Sequence, residues 1–155
     1  MNQRVWIYTL SKPLTSLQLS DFTADCNAFI SAWTAHEIKL DASFELYKNR
    51  LLIFKVNESS YNASGCSIDK QTRFVKELES KFNIELLNRL LVAYEFNSEI
   101  EFVHQSKIKD LLANEVINEE TFVYNNTLNN SLQLENEWNV PLKNSWLNKY
   151  LIAKI

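Results

Sequence analysis

A chain of 155 residues that contains a single glycine, Gly65, is restricted in the backbone turns that it can form. Glycine reaches positive φ angles without strain and lets the backbone approach another group closely. A P-loop needs two glycines and a Rossmann-type phosphate turn needs three, so both nucleotide-binding motifs are excluded. We therefore expect a positive φ angle or a close backbone approach at Gly65.

The composition predicts one folded domain over residues 1–155, with a core of about residues 1–105 and a C-terminal extension of about residues 106–155. Apolar residues make up 46% of the chain, which is enough to fill a core. The formal net charge is −3 and the basic residues are scattered, whereas nucleic acids and anionic membranes require clustered positive charge. We therefore expect neither as a partner.

The N-terminal residues favour a cytoplasmic location. Their apolar stretch, Val5–Leu10, is six residues long and is broken by Thr9, whereas a secretory signal needs about 7–15 apolar residues. No apolar run is long enough to span a bilayer. The two cysteines, Cys26 and Cys66, do not make the disulfide framework of a small secreted protein.

The first third of the chain predicts a strand followed by a helix. Arg4–Leu10 alternates and is rich in β-branched and aromatic residues, which is typical of a strand. Thr15 and Gln18 have the spacing of a capping box, so a helix should begin there and run to about Ala35. Its apolar face is expected to consist of Leu19, Phe22, Cys26, Phe29, Ile30 and Trp33.

The following elements complete a β-α-β-β-α-β order. Ala42–Tyr47 and Leu51–Asn57 predict a hairpin, and the continuous apolar run of the second strand favours burial on both faces. A second helix follows Gly65, and a strand is expected at Leu90–Phe96. This order predicts an α+β fold with a ferredoxin-like core. An added strand and helix, at Ile100–His104 and Gln105–Asn114, follow the core.

Both faces of the predicted sheet need to be covered, because Trp6 and Tyr8 lie opposite Val5 and Ile7 on the first strand. One face receives the helices. We expect the Asn-rich C-terminal segment, Glu119–Ile155, to pack on the other. A homodimer through that face is the alternative.

The segment Ser64–Asp69 concentrates the chemical signals. Gly65 directly precedes the second helix, Ser67 has the properties of an N-cap, and Asp69 would lie in the first turn. Cys66 would then lie at the helix N-terminus, where a thiol becomes nucleophilic and backbone N–H groups bind anions. The alternative is a plain turn and cap with a small cysteine filling a gap.

Topology is expected to bring further residues to this segment. His36 follows the first helix, so it should lie at the sheet edge where the second helix begins, next to Cys66 as a thiolate-activating base. The candidate catalytic residues are Cys66 and His36. The candidate ligand-binding residues are Ser64, Gly65, Ser67, Asp69, Arg73 and Arg4. Two histidines and two cysteines give no metal-ligand spacing, so no metal or cofactor is expected.

Several blocks carry a resemblance to a known family. They are Trp33 with His36, Ser64–Asp69, Thr121–Asn126, and the late residues Trp138, Pro141, Ser145 and Trp146. In these the chain resembles a family of short uncharacterised bacterial proteins, which often carry the label "ABC transporter ATPase". The sequence contradicts that label, because it has neither a Walker A loop nor a signature loop. The resemblance implies a family and no established activity.

Three functions compete. The favoured one is a binding domain for a small anionic ligand or a protein partner, with its site at Ser64–Asp69. The alternative is a thiol-dependent enzyme or redox-sensitive protein that uses Cys66 with His36. The third is an assembly role through the aromatic C-terminal segment, in which Trp138 and Trp146 either dock on the sheet or line a groove for a sugar or peptide.

Overall fold

The computed structural model describes residues 2–152. Residues 153–155, the end of the predicted C-terminal extension, and Met1 lie outside the described residues. The helices are α1 (Ser16–Ala32), α2 (Gly65–Phe82), α3 (Ile108–Ala113), α4 (Ser131–Glu137) and α5 (Lys149–Ile152), with 3-10 turns at Gln105–Lys107, Leu142–Asn144 and Trp146–Asn148. The strands are β1 (Arg4–Thr9), β2 (Thr34–Ala35), β3 (Ile38–Lys39), β4 (Asp41–Tyr47), β5 (Leu51–Asn57), β6 (Leu91–Phe96), β7 (Glu99–His104), β8 (Phe122–Tyr124) and β9 (Asn139–Pro141).

Local sequence signals account for the first helix and the central strand. The capping box of α1 is confirmed, because the Gln18 backbone N–H donates to Thr15 Oγ1 at 3.2 Å and the Thr15 N–H donates to Gln18 Oε1 at 3.0 Å. The apolar run of β5 is buried on both faces as predicted. β5 lies between β1 and β4 and is antiparallel to both.

The molecule has four layers. Helices α1 and α2 cover one face of the sheet β1-β5-β4, where Phe54, Phe22 and Leu78 belong to one apolar cluster. A second sheet, β7-β6-β8-β9, covers the opposite face. Helix α3 and the C-terminal turns cover the outer face of that second sheet. Both sheets are therefore buried on two sides.

The C-terminal segment packs on the first sheet as expected. Tyr124, Leu128 and Trp138 join the apolar cluster that contains Val5 and Ile53. Strands β6 and β7 cover the same face of the first sheet, since their residues belong to the same cluster.

The α+β class is confirmed, but the ferredoxin-like detail is not. A single four-stranded sheet would require β6 to pair with an edge of the sheet β1-β5-β4. Instead, β6 pairs with β7 and β8 in the second sheet. The edge of β1 that faces away from β5 consequently has only a short contact, a bridge between Arg4 and Asn130.

Residues other than glycine form the tight turns. His36 and Glu37 connect β2 to β3 with φ angles of 52° and 68°, and Asn97 and Ser98 connect β6 to β7 with 51° and 66°. Positive φ at both central residues is typical of two-residue hairpin turns. Residues other than glycine thus adopt the positive φ angles in these turns, at some cost in backbone strain. The lone glycine lies outside them.

Candidate functional site

The segment Ser64–Asp69 forms the start of α2, one turn earlier than the sequence predicted. The N-cap is Ser64, whose Oγ accepts from the Ser67 N–H at 3.1 Å. Ser67 is not the cap: it is fully buried and its hydroxyl donates to the Ser64 carbonyl at 2.8 Å. Asp69 is therefore beyond the first turn, which holds no acidic residue. The cap prediction was wrong because Ser64 and Ser67 both satisfy the same residue preference.

Gly65 does not have the special backbone that we expected. Its φ angle is not positive, and a Cβ atom placed on it would meet nothing within 4 Å. It is the first residue of α2 and is exposed. A side chain at this position would fit, so the glycine is required neither by the fold nor by a close contact.

The structure brings His36 to the start of α2 but does not join it to Cys66. His36 and Ser64 line one open groove, together with the loop that follows β5. The indole N–H of Trp33 donates to the Ser67 carbonyl at 2.8 Å. This bond holds the end of α1 and the start of β2 against α2. Cys66 is exposed and does not line the groove. Within residues 2–152, no hydrogen bond or ion pair connects His36 with Cys66.

The two predicted cations lie apart. Arg73 is exposed on α2, eight residues after its start. Arg4 lies on β1, where its guanidinium is 3.9 Å from a Glu58 carboxylate oxygen and 4.9 Å from the centre of the Trp6 ring. Arg4 thus reaches the groove only through Glu58, which lines it. Of the candidate residues, only His36 and Ser64 line this groove, so the predicted set does not converge on it.

The exposure of the two cysteines predicts a large difference in labelling. Cys66 is exposed and Cys26 is fully buried between α1 and its neighbours. Burial also raises the pKa of the Cys26 thiol to about 12, so little thiolate forms there. We expect iodoacetamide to modify Cys66 in the native protein while Cys26 reacts only after denaturation, as read by peptide mass spectrometry. Equal labelling of both thiols in native buffer would contradict this packing.

A cavity more enclosed than the groove beside His36 lies elsewhere, between the two sheets. This inter-sheet cleft has a volume of about 400 Å³ and opens beside the edge of β1. Its volume is within the range of small-ligand sites. Its lining consists of Arg4–Thr9 of β1, Leu86–Arg89, the first two residues of β6, Gln105, Tyr124–Asn129 and Trp146. The cleft lies along the edge of β1 that faces away from β5 and that β6 does not pair with.

The inter-sheet cleft is positively charged in a chain of net charge −3. Arg4 and Arg89 are the charged residues among those that line it, and no carboxylate lines it. The charge of Arg4 is partly balanced by Glu58. In the described part of the chain no ion pair involves Arg89. Arg89 is therefore the cation that is free to meet an anion.

Hydrogen bonds around the cleft orient its amides as donors. The Asn126 oxygen accepts from the Trp138 indole N–H at 2.8 Å, and the Asn125 oxygen accepts from the Thr127 N–H at 3.1 Å. The side-chain NH₂ groups of these two asparagines keep their donors, since no partner for them occurs within residues 2–152. Free amide donors on residues that line a cleft with positive charge favour a ligand with acceptor oxygens.

A buried pair lies behind the cleft wall. The Tyr8 hydroxyl donates to Oε1 of Gln71, which is fully buried on α2. Burial raises the pKa of Tyr8 to about 12, and the nearby charge of Arg89 opposes this increase. Tyr8 therefore stays protonated at neutral pH. Nε2 of Gln71 has no partner, which leaves a buried donor for a water molecule or a ligand group.

Sequence reasoning missed most of this cleft. Arg89 and Gln105 were not singled out, because no motif or period marks them. A groove lined by Trp146 is one of the sequence expectations, and Trp146 does line the cleft with 40% of its surface exposed. Trp138 instead docks against Tyr47 and Tyr124, with ring centres 4.9 Å from each. The sequence signal that could have indicated the cleft is the polar and aromatic stretch Thr121–Asn126, part of which lines it.

Comparisons with known proteins do not add to this description. The chain matches no protein-family model, no curated protein and no solved structure. The resemblance carried by Ser64–Asp69 therefore stays a prediction. Over residues 2–152 no helix combines the length and the apolar composition needed to cross a bilayer. The same residues contain no group of three or more histidine, cysteine or acidic side chains that could hold a metal ion.

Proposed function

We propose that the protein is a binding domain that holds a small anionic ligand in the inter-sheet cleft. The observation that carries this proposal is the charge of the cleft: two arginines, no carboxylate, and the Arg89 guanidinium without an ion-pair partner in the described structure. The planar guanidinium of an arginine binds carboxylate or phosphate groups in a bidentate way that a lysine cannot reproduce. The sequence also predicted an anion as the ligand, at a different place.

The cleft is favoured over the predicted site at Ser64–Asp69 for a physical reason. The start of α2 is exposed, and its cap already satisfies one N–H group. A ligand there would stay largely in water, which screens the attraction between charges. In the cleft, apolar walls from Ile7 and Leu86 lower the local polarity around the same kind of charge. Binding at Ser64–Asp69, and thiol chemistry at Cys66, remain predictions.

The test uses glutarate and inorganic phosphate as probes. Titration is followed by tryptophan fluorescence, since Trp6 and Trp146 line the cleft. We expect saturable binding that Arg89→Ala weakens about 10- to 100-fold, because a hydrogen bond to a charged group contributes about 1.5–3 kcal/mol. Arg89→Lys should recover only part of the affinity, since it keeps the charge and loses the planar fork.

Arg73→Ala is the matched control, because Arg73, like Arg89, is an exposed arginine but lies outside the cleft. We expect it to bind both probes as the parent protein does. A loss of affinity in Arg73→Ala with none in Arg89→Ala would move the site to the start of α2. The absence of saturable binding of either probe would overturn the proposal.

A further inference from the structure

The edge of β1 that borders the inter-sheet cleft is paired with the rest of the chain at both ends and open in the middle. At one end, the Val5 N–H donates to the Asn129 carbonyl at 3.0 Å. At the other end, the Ser11 N–H donates to the Glu85 carbonyl at 3.0 Å. The Leu10 N–H points the opposite way and donates to the Arg50 carbonyl, beside β5. Odd-numbered residues therefore direct their backbone groups away from β5.

Ile7 and Thr9 lie between these two contacts and share their direction, because backbone groups alternate along a strand. Both residues line the cleft. Within residues 2–152, neither the Ile7 nor the Thr9 N–H group has a hydrogen-bond partner in the protein. Thr9 is nonetheless 95% buried, since its exposed fraction is 5%. On so buried a residue an N–H group without a partner is uncommon, and a ligand that pairs with it adds a favourable hydrogen bond.

We infer that the ligand is a short extended peptide that adds a strand segment to β1 at Ile7 and Thr9 and places its C-terminal carboxylate at Arg89. Adding a strand to an open sheet edge is an established mode of peptide recognition. This inference rests on the proposed function, because it uses the same cleft and the same cation. It adds a backbone requirement that a simple anion does not meet.

Length and charge both support a short peptide. The contacts at Val5 and Ser11 close the edge on either side, so the open part spans about three residues at roughly 3.3 Å per residue. The cleft volume of about 400 Å³ suits a ligand of that size. The carboxylate is placed at Arg89 because Arg89 lines the same cleft as Ile7 and Thr9 and has no ion-pair partner among residues 2–152. Arg4 is already engaged with Glu58.

The experiment uses pools of random tripeptides with four kinds of backbone. The first pool has a free C-terminal carboxylate, the second a C-terminal amide, the third an N-methyl group at the central residue, and the fourth an N-methyl group at the last residue. Binding to the intact protein is measured by titration with two-dimensional NMR, in which the amide signals of Ile7 and Thr9 are followed individually. N-methylation changes the ligand only, so protein stability does not affect the result.

We expect the free-acid pool to bind at least about tenfold more tightly than glutarate and to shift the Ile7 and Thr9 amide protons downfield. One of the two methylated pools should bind about tenfold more weakly, because only alternate peptide N–H groups face β1. Equal binding of the free-acid pool and both methylated pools would overturn the inference. Glutarate binding without any gain from peptides would also overturn it and leave the proposed function standing. Failure of glutarate, phosphate and every pool would remove both.

Discussion

Replacing Trp33 with alanine is expected to destabilise the protein more than any other single change considered for this chain. Trp33 is 1% exposed and is the largest fully buried side chain. Its ring centre lies 5.1 Å from that of Phe29, 5.9 Å from that of Trp6 and 6.2 Å from that of Phe54. Truncation to alanine leaves a cavity that these rings cannot close.

The expected loss is about 3–5 kcal/mol in the free energy of unfolding, the usual range for a buried tryptophan or phenylalanine cut to alanine. Since small domains have a total stability of about 5–15 kcal/mol, this is a large fraction. Urea denaturation followed by circular dichroism measures it. Trp33→Phe keeps most of the ring and removes the indole donor to Ser67, so it should lose about 1 kcal/mol for the hydrogen bond plus a smaller packing term.

Trp146→Ala is the control for the same chemical change at the surface. Trp146 is 40% exposed and lines the inter-sheet cleft. We expect its stability loss to be well below that of Trp33→Ala. Equal losses in the two variants would mean that Trp33 does not hold β2 and α2 together as the structure indicates.

The sequence identified the elements whose signals are local. The capping box at Thr15 and Gln18 fixes the start of α1 because both hydrogen bonds join residues three apart. The apolar run at Leu51–Asn57 identified β5, because a strand that is covered on both faces is apolar at consecutive positions and does not alternate. In both cases the residues that determine the structure are neighbours in the chain.

The remainder depends on contacts between distant residues. β8 and β9 have three residues each, too few for a period, and they exist because β8 pairs with β6 about 30 positions earlier. That pairing takes β6 into a second sheet and opens the cleft. Arg4, Arg89 and Asn125 meet there only after both sheets have formed. No spacing in the sequence could show that they share a site.

The lone glycine, Gly65, does not occupy a position that requires a glycine. A chain with one glycine is expected to place it where φ is positive. Eight other residues among those described take positive φ angles, four of them in the two tightest hairpin turns. Hairpin geometry imposes those angles, and asparagine and serine tolerate them at modest strain. Gly65 therefore gave no information about the site.

Arg50→Met is expected to loosen the contact between the two sheets. The Arg50 guanidinium donates to the Leu10 carbonyl at 3.4 Å and to the Ile100 carbonyl at 3.3 Å, which joins the end of β1 to β7. It also lies 4.5 Å from the centre of the Phe102 ring. Burial lowers the pKa of Arg50, although Glu99 and Glu101 oppose this, and the group stays charged at neutral pH.

Two charge-assisted hydrogen bonds and a cation–π contact are replaced by an apolar side chain of similar length. A short charged hydrogen bond contributes about 1.5–3 kcal/mol, but the two bonds of Arg50 are long, at 3.3 and 3.4 Å, and its Nε has no partner. We therefore expect a loss of about 2–3 kcal/mol in the free energy of unfolding for the two bonds and the cation–π contact together. Arg50→Lys should recover little, because one ammonium group does not reach both carbonyls. Arg73→Met, the same change on the exposed face of α2, should stay within about 0.5 kcal/mol of the parent.

An Arg50→Met protein as stable as the parent would contradict this prediction. Two explanations of such a result can be told apart. Burying a cation carries a desolvation penalty, and removing that penalty sometimes compensates for the lost hydrogen bonds. The inter-sheet cleft separates the two explanations. If Arg50 holds the sheets at their spacing, Arg50→Met weakens glutarate binding at Arg89 even at temperatures where the protein is fully folded. If stability and glutarate affinity are both unchanged, packing between the sheets alone fixes the cleft, and Arg50 has no role in it.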